Sequence, residues 1–258
     1  MPISPGLVSI SFRKLSVEQV IALAREARLH GIEWGGDIHA PHGDAARAQV
    51  VGDATRAAGL TVAAYGSYYR IGVSEQEGLT FASVLASAVA LGAPRIRVWV
   101  GNRGSAECPS EQRLAIIADA QRIAALAAVH GIRVVSEWHG NTLTDNAESG
   151  VAFLRAVGHP NFTTVWQPSV GLTTDAALGE LTAALPWVEH LHVFHWQQHE
   201  RRPLAEGSDR WQRYFACAAG TGRELTATLE FVLGDEPQQL VRDAATLHSL
   251  IALLPEPA

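Results

Sequence analysis

The sequence predicts an α/β fold, a single (β/α)8 barrel spanning residues 1–258, and three observations carry that prediction. Short β-branched or aromatic runs alternate with longer helical patterns along the whole chain. The starts of those runs lie about 25 to 40 residues apart, the length of one βα unit in a parallel architecture. No shift in composition divides the 258 residues, a length that suits one such barrel. An open doubly wound sheet would need a glycine-rich phosphate loop after the first strand. The chain instead reads Phe12-Arg13-Lys14-Leu15-Ser16 there.

Strands are expected at residues 7–12, 32–37, 61–67, 95–100, 133–139, 163–168, 190–196 and 226–232. Helices fill the intervals. Ser16-Val17-Glu18-Gln19 is a capping box, followed by Val20, Ile21 and Ala24 on one face and a stop at Gly31. In the fourth helix Leu114, Ile117, Ile123 and Leu126 recur at helical spacing before Gly131. The last opens with Pro237 in its first turn and continues through Leu240, Val241, Ala244 and Leu247. The alanine-rich stretch 82–90 suits close packing on a sheet.

Composition narrows the function. The hydrophobic fraction of 47% supports a sizeable core, and no stretch is of low complexity. No apolar run approaches the ~20 residues of a membrane helix. The first residues, Met1-Pro2-Ile3-Ser4-Pro5-Gly6, lack a signal-peptide pattern, so a cytoplasmic location is expected. Cys108 and Cys217 are far apart and read as reduced thiols. A net charge of −6 without a basic run argues against a nucleic-acid partner. Neither a nucleotide-cofactor motif nor a Gly-x-Ser-x-Gly elbow is present.

In such a barrel the chemistry sits at the C-terminal strand ends. Residues i and i+2 of a strand share a face, so Glu137 goes with His139 and His190 with His192. Glu230 stands in an apolar strand, where an uncompensated carboxylate costs several kcal/mol. Glu137, Gln167, His192 and Glu230 occupy equivalent places on four successive strands. That favours one divalent metal ion (Mn, Zn, Co or Mg) over a metal-free hydrogen-bond network.

Trp34, Trp138 and Trp166 lie near strand ends, where aromatic walls suit the apolar faces of a small sugar-like substrate. Trp196 is placed similarly, whereas Trp99, Trp187 and Trp211 are assigned to packing. His39 and His42 follow the second strand as substrate or second-metal groups, with exposed loop histidines as the alternative. The segment from Tyr65 to Arg70 reads as a pocket wall or lid, and Tyr65 and His195 join the substrate-binding candidates.

With these residues in place, the chain resembles the xylose-isomerase-like barrel superfamily, in the sugar phosphate isomerase/epimerase branch that also contains endonuclease IV. The resemblance covers nearly the whole chain. It rests on Gly31-Ile32-Glu33-Trp34, Glu137-Trp138-His139, His190-Leu191-His192-Val193 and Glu230. It implies a metal held by Glu137, His192 and Glu230, and the two glutamates as the catalytic acid/base pair. The chain departs from the pattern at Gln167, where the family usually has Asp, which removes one negative charge. The resemblance also implies substrate hydroxyls near His139. Arg201 or Arg202 offers a phosphate or carboxylate clamp, with solvated loop charges as the alternative.

The function expected first is a metal-assisted isomerase or epimerase of a small sugar, sugar phosphate or related keto compound. It would act by proton abstraction and an enediolate. A metal-free sugar-binding barrel is one alternative and a dehydratase or lyase with the same first step is another. An endonuclease-IV-like phosphodiesterase ranks last, because it needs a three-metal cluster and a basic face. No membrane partner is expected, and no sequence feature demands or forbids a homo-oligomer.

Overall fold

Each β-branched run contributes a strand to one closed parallel barrel in the computed structural model, which describes residues 3–255. Its strands are β1 (Ile3–Val8), β2 (Gly31–Gly35), β3 (Thr61–Arg70), β4 (Arg95–Trp99) and β5 (Arg133–Glu137). They continue with β6 (Phe162–Trp166), β7 (Val188–Val193) and β10 (Leu225–Leu229). Around the barrel the order is β1-β10-β7-β6-β5-β4-β3-β2. Among the described residues eight α-helices follow: α1 (Val17–Glu26), α2 (Ala45–Ala57), α3 (Phe81–Leu91), α4 (Ser110–Ala128), α5 (Ala147–Val157), α6 (Thr174–Ala184), α7 (Ser208–Ala219) and α8 (Pro237–Ala252).

Local signals explain most of the boundaries. Ser16 accepts the Gln19 N–H while the Gln19 side chain takes the Ser16 N–H, closing the capping box that starts α1. Thr80 caps α3, and Gly92 ends it in the left-handed conformation. Pro237 opens α8 at a position where a missing N–H costs nothing.

Three expectations need correction. The first strand is Ile3–Val8 rather than 7–12, and Ser9–Phe12 forms a 3-10 turn. Pro and Gly are unfavourable inside most strands, yet Gly6 is required there: a Cβ would lie 2.9 Å from the Gly31 carbonyl oxygen. Gly31 likewise belongs to β2, because α1 ends earlier and Arg28 takes the positive φ of the turn. Leu114 and Leu126 face outward on α4, whose buried face is Ile116, Ala120, Ile123, Ala124 and Ala127. Beyond β7 the chain forms an unforeseen antiparallel pair, β8 (His195–Gln197) and β9 (Glu200–Arg202), over the C-terminal end of the barrel.

Among the described residues no helix is long and apolar enough to cross a membrane. Both cysteines are free thiols.

Candidate active site

Alternation along the strands decides which side chains face the barrel axis. At the C-terminal end that inner row is polar. It holds Glu33 on β2, Arg97 on β4, Glu137 on β5, and His190 and His192 on β7. Gln167 and Glu230 follow directly after β6 and β10. All seven side chains are buried.

Arg97 ties one half of this row together. Its Nε donates to Glu33 Oε1 at 2.5 Å, and its Nη1 donates to Glu137 Oε2. The indole N–H of Trp99 donates to the same Glu137 oxygen at 2.5 Å. Gly66 makes room for the pair, since a Cβ there would sit 2.7 Å from Arg97 Nη2. Tyr68, held at φ 54°, lays its ring 5.0 Å from the guanidinium carbon.

His192 joins the two halves. Its Nε2 lies 3.1 Å from Glu33 Oε2, and its Nδ1 lies 3.2 Å from Gln167 Oε1. The same Nδ1 is 3.3 Å from Glu230 Oε2 and 3.8 Å from Glu137 Oε1. The approach to Glu230 is misaligned, so Oε2 is buried without a hydrogen bond. Gln167 is oriented by its amide N–H groups, which donate to Trp138 O at 2.7 Å and Glu137 Oε1 at 3.3 Å.

The electrostatics follow from three carboxylates facing one guanidinium. Burial disfavours charge on Glu33 and Glu137, but Arg97 and then His192 overcome it and hold both carboxyls below their usual range. Burial works against a charge on His192 as well, yet Glu230 and Glu33 push it up to about 10. His190 goes the other way: burial drives it well down, only partly opposed by Glu33. The surrounding carboxylates therefore favour the protonated form of His192.

Among the described residues two groups of side chains could hold a metal ion: Glu137, His192 and Glu230, and Glu33, His190 and His192. Within each group the ligand atoms lie within 4.8 Å of one another. The first group fits better. It includes the orphaned Glu230 oxygen and has the Gln167 carbonyl beside it, a mixed oxygen and imidazole donor set suited to a divalent ion. Arg97 engages one carboxylate of each group, Glu137 in the first and Glu33 in the second.

A cavity of about 420 Å³ opens next to Gln167, lined also by Trp138, His139, Phe194, Trp196 and Phe231. Phe231 directly follows Glu230 and holds a strained φ of 53°.

Glu137, Gln167, His192 and Glu230 thus come together, with His139 on the cavity wall stacked 4.6 Å from Trp99. The expected aromatic wall does not form as predicted. Trp34 donates its N–H to Thr55 on α2, and Trp166 packs on Trp211 and Tyr214 of α7. Trp138 touches the cavity, but its indole bonds Thr164 and rests on Gly150 of α5. Tyr65 points outward too, with its hydroxyl on Ala40 O. The reason is parity: Trp34, Trp138 and Trp166 each adjoin an inward Glu33, Glu137 or Gln167 in the chain, so their rings face the helices. His39 is buried between Ser9 and the Leu15 carbonyl, away from the cavity. His195 lies on β8 beside a neighbouring pocket, and Arg201 bonds Asp235 at 2.6 Å.

Three central residues were absent from the expected site: Arg97, Glu33 and Trp99. The signal for Arg97 was the one that exposed Glu230, a charge among apolar strand residues, here Ile96 and Val98. Trp99 shares the face of Arg97 by the i, i+2 rule, so its assignment to packing is corrected.

A family model described as xylose isomerase-like TIM barrel matches residues 21–249. A 3-dehydroshikimate dehydratase of Bacillus anthracis is 27% identical over 163 residues, 60% of this chain. The chain spans about half of that relative, 55% of its length. Among solved structures, the probable 3-DHS dehydratase AsbF from Bacillus anthracis superposes with a TM-score of 0.79 at 21% identity, covering 95% of this chain and 98% of that one. The 3-keto-D-glucoside 4-epimerase YcjR from E. coli gives 0.75 at 14% identity, covering 97% and 99%.

Proposed function

The chain belongs to the xylose isomerase-like TIM barrel family, and from that premise we propose that it is a divalent-metal-dependent dehydratase of a small polyhydroxylated keto compound. The sequence alone ranks an isomerase or epimerase first, with a dehydratase behind it. One observation reverses that order: the two glutamates are unequal. Glu137 is fastened by Arg97 and Trp99 and held ionised, whereas Glu230 keeps an oxygen without a hydrogen bond. Two-base epimerisation needs both carboxylates to take up and release protons. Elimination of water needs one base and one acid.

Residue roles follow. Glu137, Gln167, His192 and Glu230 are assigned as the metal-holding set. A divalent ion bound there would supply Lewis-acid polarisation of the substrate carbonyl. Glu230 removes the proton from the carbon beside that carbonyl. The C–H electron pair becomes a double bond as the hydroxyl one carbon further on departs. His139, whose Nδ1 is engaged by the Gly140 carbonyl oxygen, presents its other ring nitrogen to protonate that hydroxyl, and water leaves. Phe194, Trp196 and Phe231 keep bulk water from the reacting carbons.

The similarity to a 3-dehydroshikimate dehydratase makes 3-dehydroshikimate the first compound to test. Protein supplied with Mn²⁺ or Mg²⁺ is incubated with it in D2O and the products are read by proton NMR. Loss of water, abolished by chelator and restored by metal, is the expected result. A product of unchanged composition carrying deuterium at a retained carbon would overturn the dehydratase reading in favour of an epimerase.

A further inference from the structure

A second cavity, about 380 Å³, lies beside the first and shares Phe231 with it. Its walls come from the turn after β1, from β9, and from the turn after β10. In (β/α)8 enzymes the loops after the last two barrel strands are a frequent seat for a phosphate group. Here Arg201, which follows β7, meets Arg13 and Lys14 from the turn after β1, with Asp235 the one carboxylate in the lining, in a chain whose net charge is −6.

The cations are held in place but not used up. Arg201 gives only Nη1, to Asp235 Oδ1 at 2.6 Å and Val232 O at 3.4 Å, among the described residues. Its guanidinium carbon is fixed 5.1 Å from the Phe231 ring centroid and 6.0 Å from that of Trp196. Arg13 bonds Asp37 through Nε at 2.6 Å and Tyr68 through Nη2 at 3.4 Å, leaving Nη1. Lys14 makes no ion pair among the described residues. A second, independent feature points to a ligand. Ser11, 4% exposed, lines this cavity with a buried hydroxyl that has no hydrogen-bond partner. A buried hydroxyl left so has given up its water without a replacement unless something fills its place.

We propose that this cavity is the subsite for an anionic group of the substrate, a carboxylate or phosphate gripped by Arg201 and Arg13 and hydrogen-bonded by Ser11. The inference rests on the dehydratase reading for its probe, and it specifies that reading further: the substrate is a keto compound with a charged end. Phe231 separates the two cavities and directly follows Glu230 in the chain. The proposal seats the reacting part of the substrate in the first cavity and its anionic end past Phe231 in the second. Oxyanion contacts of this kind act equally on bound substrate and transition state, so their loss appears in KM.

The test uses the full chain supplied with Mn²⁺ and compares wild type with Arg201→Met, Arg13→Met and Arg155→Met. The last removes an exposed charge on α5, away from both cavities. KM and kcat are measured for 3-dehydroshikimate and its methyl ester. The shift in melting temperature given by inorganic phosphate is measured on the same proteins. For a carboxylate, KM rises about tenfold or more in Arg201→Met with kcat within about twofold, and the ester shows the same loss in wild type. For a phosphate, inorganic phosphate raises the melting temperature of wild type and Arg155→Met but not of Arg201→Met. Wild-type KM in both cavity variants, or no response of wild type to either anion, would overturn the subsite. Water loss with an unchanged KM in the variants leaves the dehydratase standing and removes the subsite. Arg201-dependent phosphate binding without water loss does the reverse.

Discussion

The two flanks of the barrel mouth are built to different ends. On the β2-β4-β5 side, Glu33, Arg97, Glu137 and Trp99 form a network in which each carboxylate is tied to the guanidinium, around Gly66, with Arg97 Nη2 alone left without a partner among the described residues. On the β7-β10 side, Glu230 has an orphaned oxygen, Phe231 is strained, and Arg201 has donors to spare. Buried charge is costly unless paired, so the closed flank gains a fixed geometry from its pairing. The open flank leaves polar groups that need a partner from outside the protein. The two glutamates look equivalent in the sequence and differ in what their neighbours let them do.

The contrast is broken most severely at Glu230. Glu230→Gln keeps the shape but removes the base, and turnover of the dehydratase substrate should fall about a hundred- to ten-thousand-fold. Its melting temperature should fall as well, because Glu230 Oε2 lies 3.3 Å from His192 Nδ1 and supports the charge buried there. Near wild-type turnover would remove Glu230 from the chemistry.

Arg97→Met attacks the closed flank. It leaves Glu33 and Glu137 buried without their cation, at a cost of about 3–5 kcal/mol in urea or thermal unfolding. A loss below about 1 kcal/mol would mean that the network does not hold the fold. Trp99→Phe is milder. It removes one donor to Glu137 Oε2 while Arg97 remains, so about 1–2 kcal/mol of stability should go. The smallest effect on activity is expected at Trp34 of β2, whose ring faces the helices rather than the barrel axis. Trp34→Phe loses a hydrogen bond to Thr55, about 1 kcal/mol, and should leave kcat and KM within about twofold. A large rise in KM there would put Trp34 back in the substrate site.

What the sequence made legible follows from what each signal measures. Alternating β-branched and helical runs report burial on both faces of a parallel strand, and they located the barrel strands. They failed at β1, where Pro5 and Gly6 look like breakers but satisfy close strand packing. Charged or polar residues within apolar strands found Glu137, Gln167, His192 and Glu230. Those residues do converge, though their roles remain the assignments made above. The tryptophans misled because aromatic size fits the helix-facing layer as well as it fits a pocket. Only the parity set by Glu33, Glu137 and Gln167 separates the two. Arg97 escaped notice because its partners come from β2 and β5, 64 and 40 residues away, and no local pattern records a pairing across the barrel.

The most direct measurement is the rate of water loss from the substrate, followed by proton NMR in Mn²⁺-loaded wild type, Glu230→Gln and Glu137→Gln. Bound metal per chain is determined alongside. The account predicts that Glu230→Gln still binds substrate but that its water loss collapses, because the base is gone. Water loss at the wild-type rate in Glu230→Gln, with loss of turnover confined to Glu137→Gln, would contradict it and make the fastened glutamate the base.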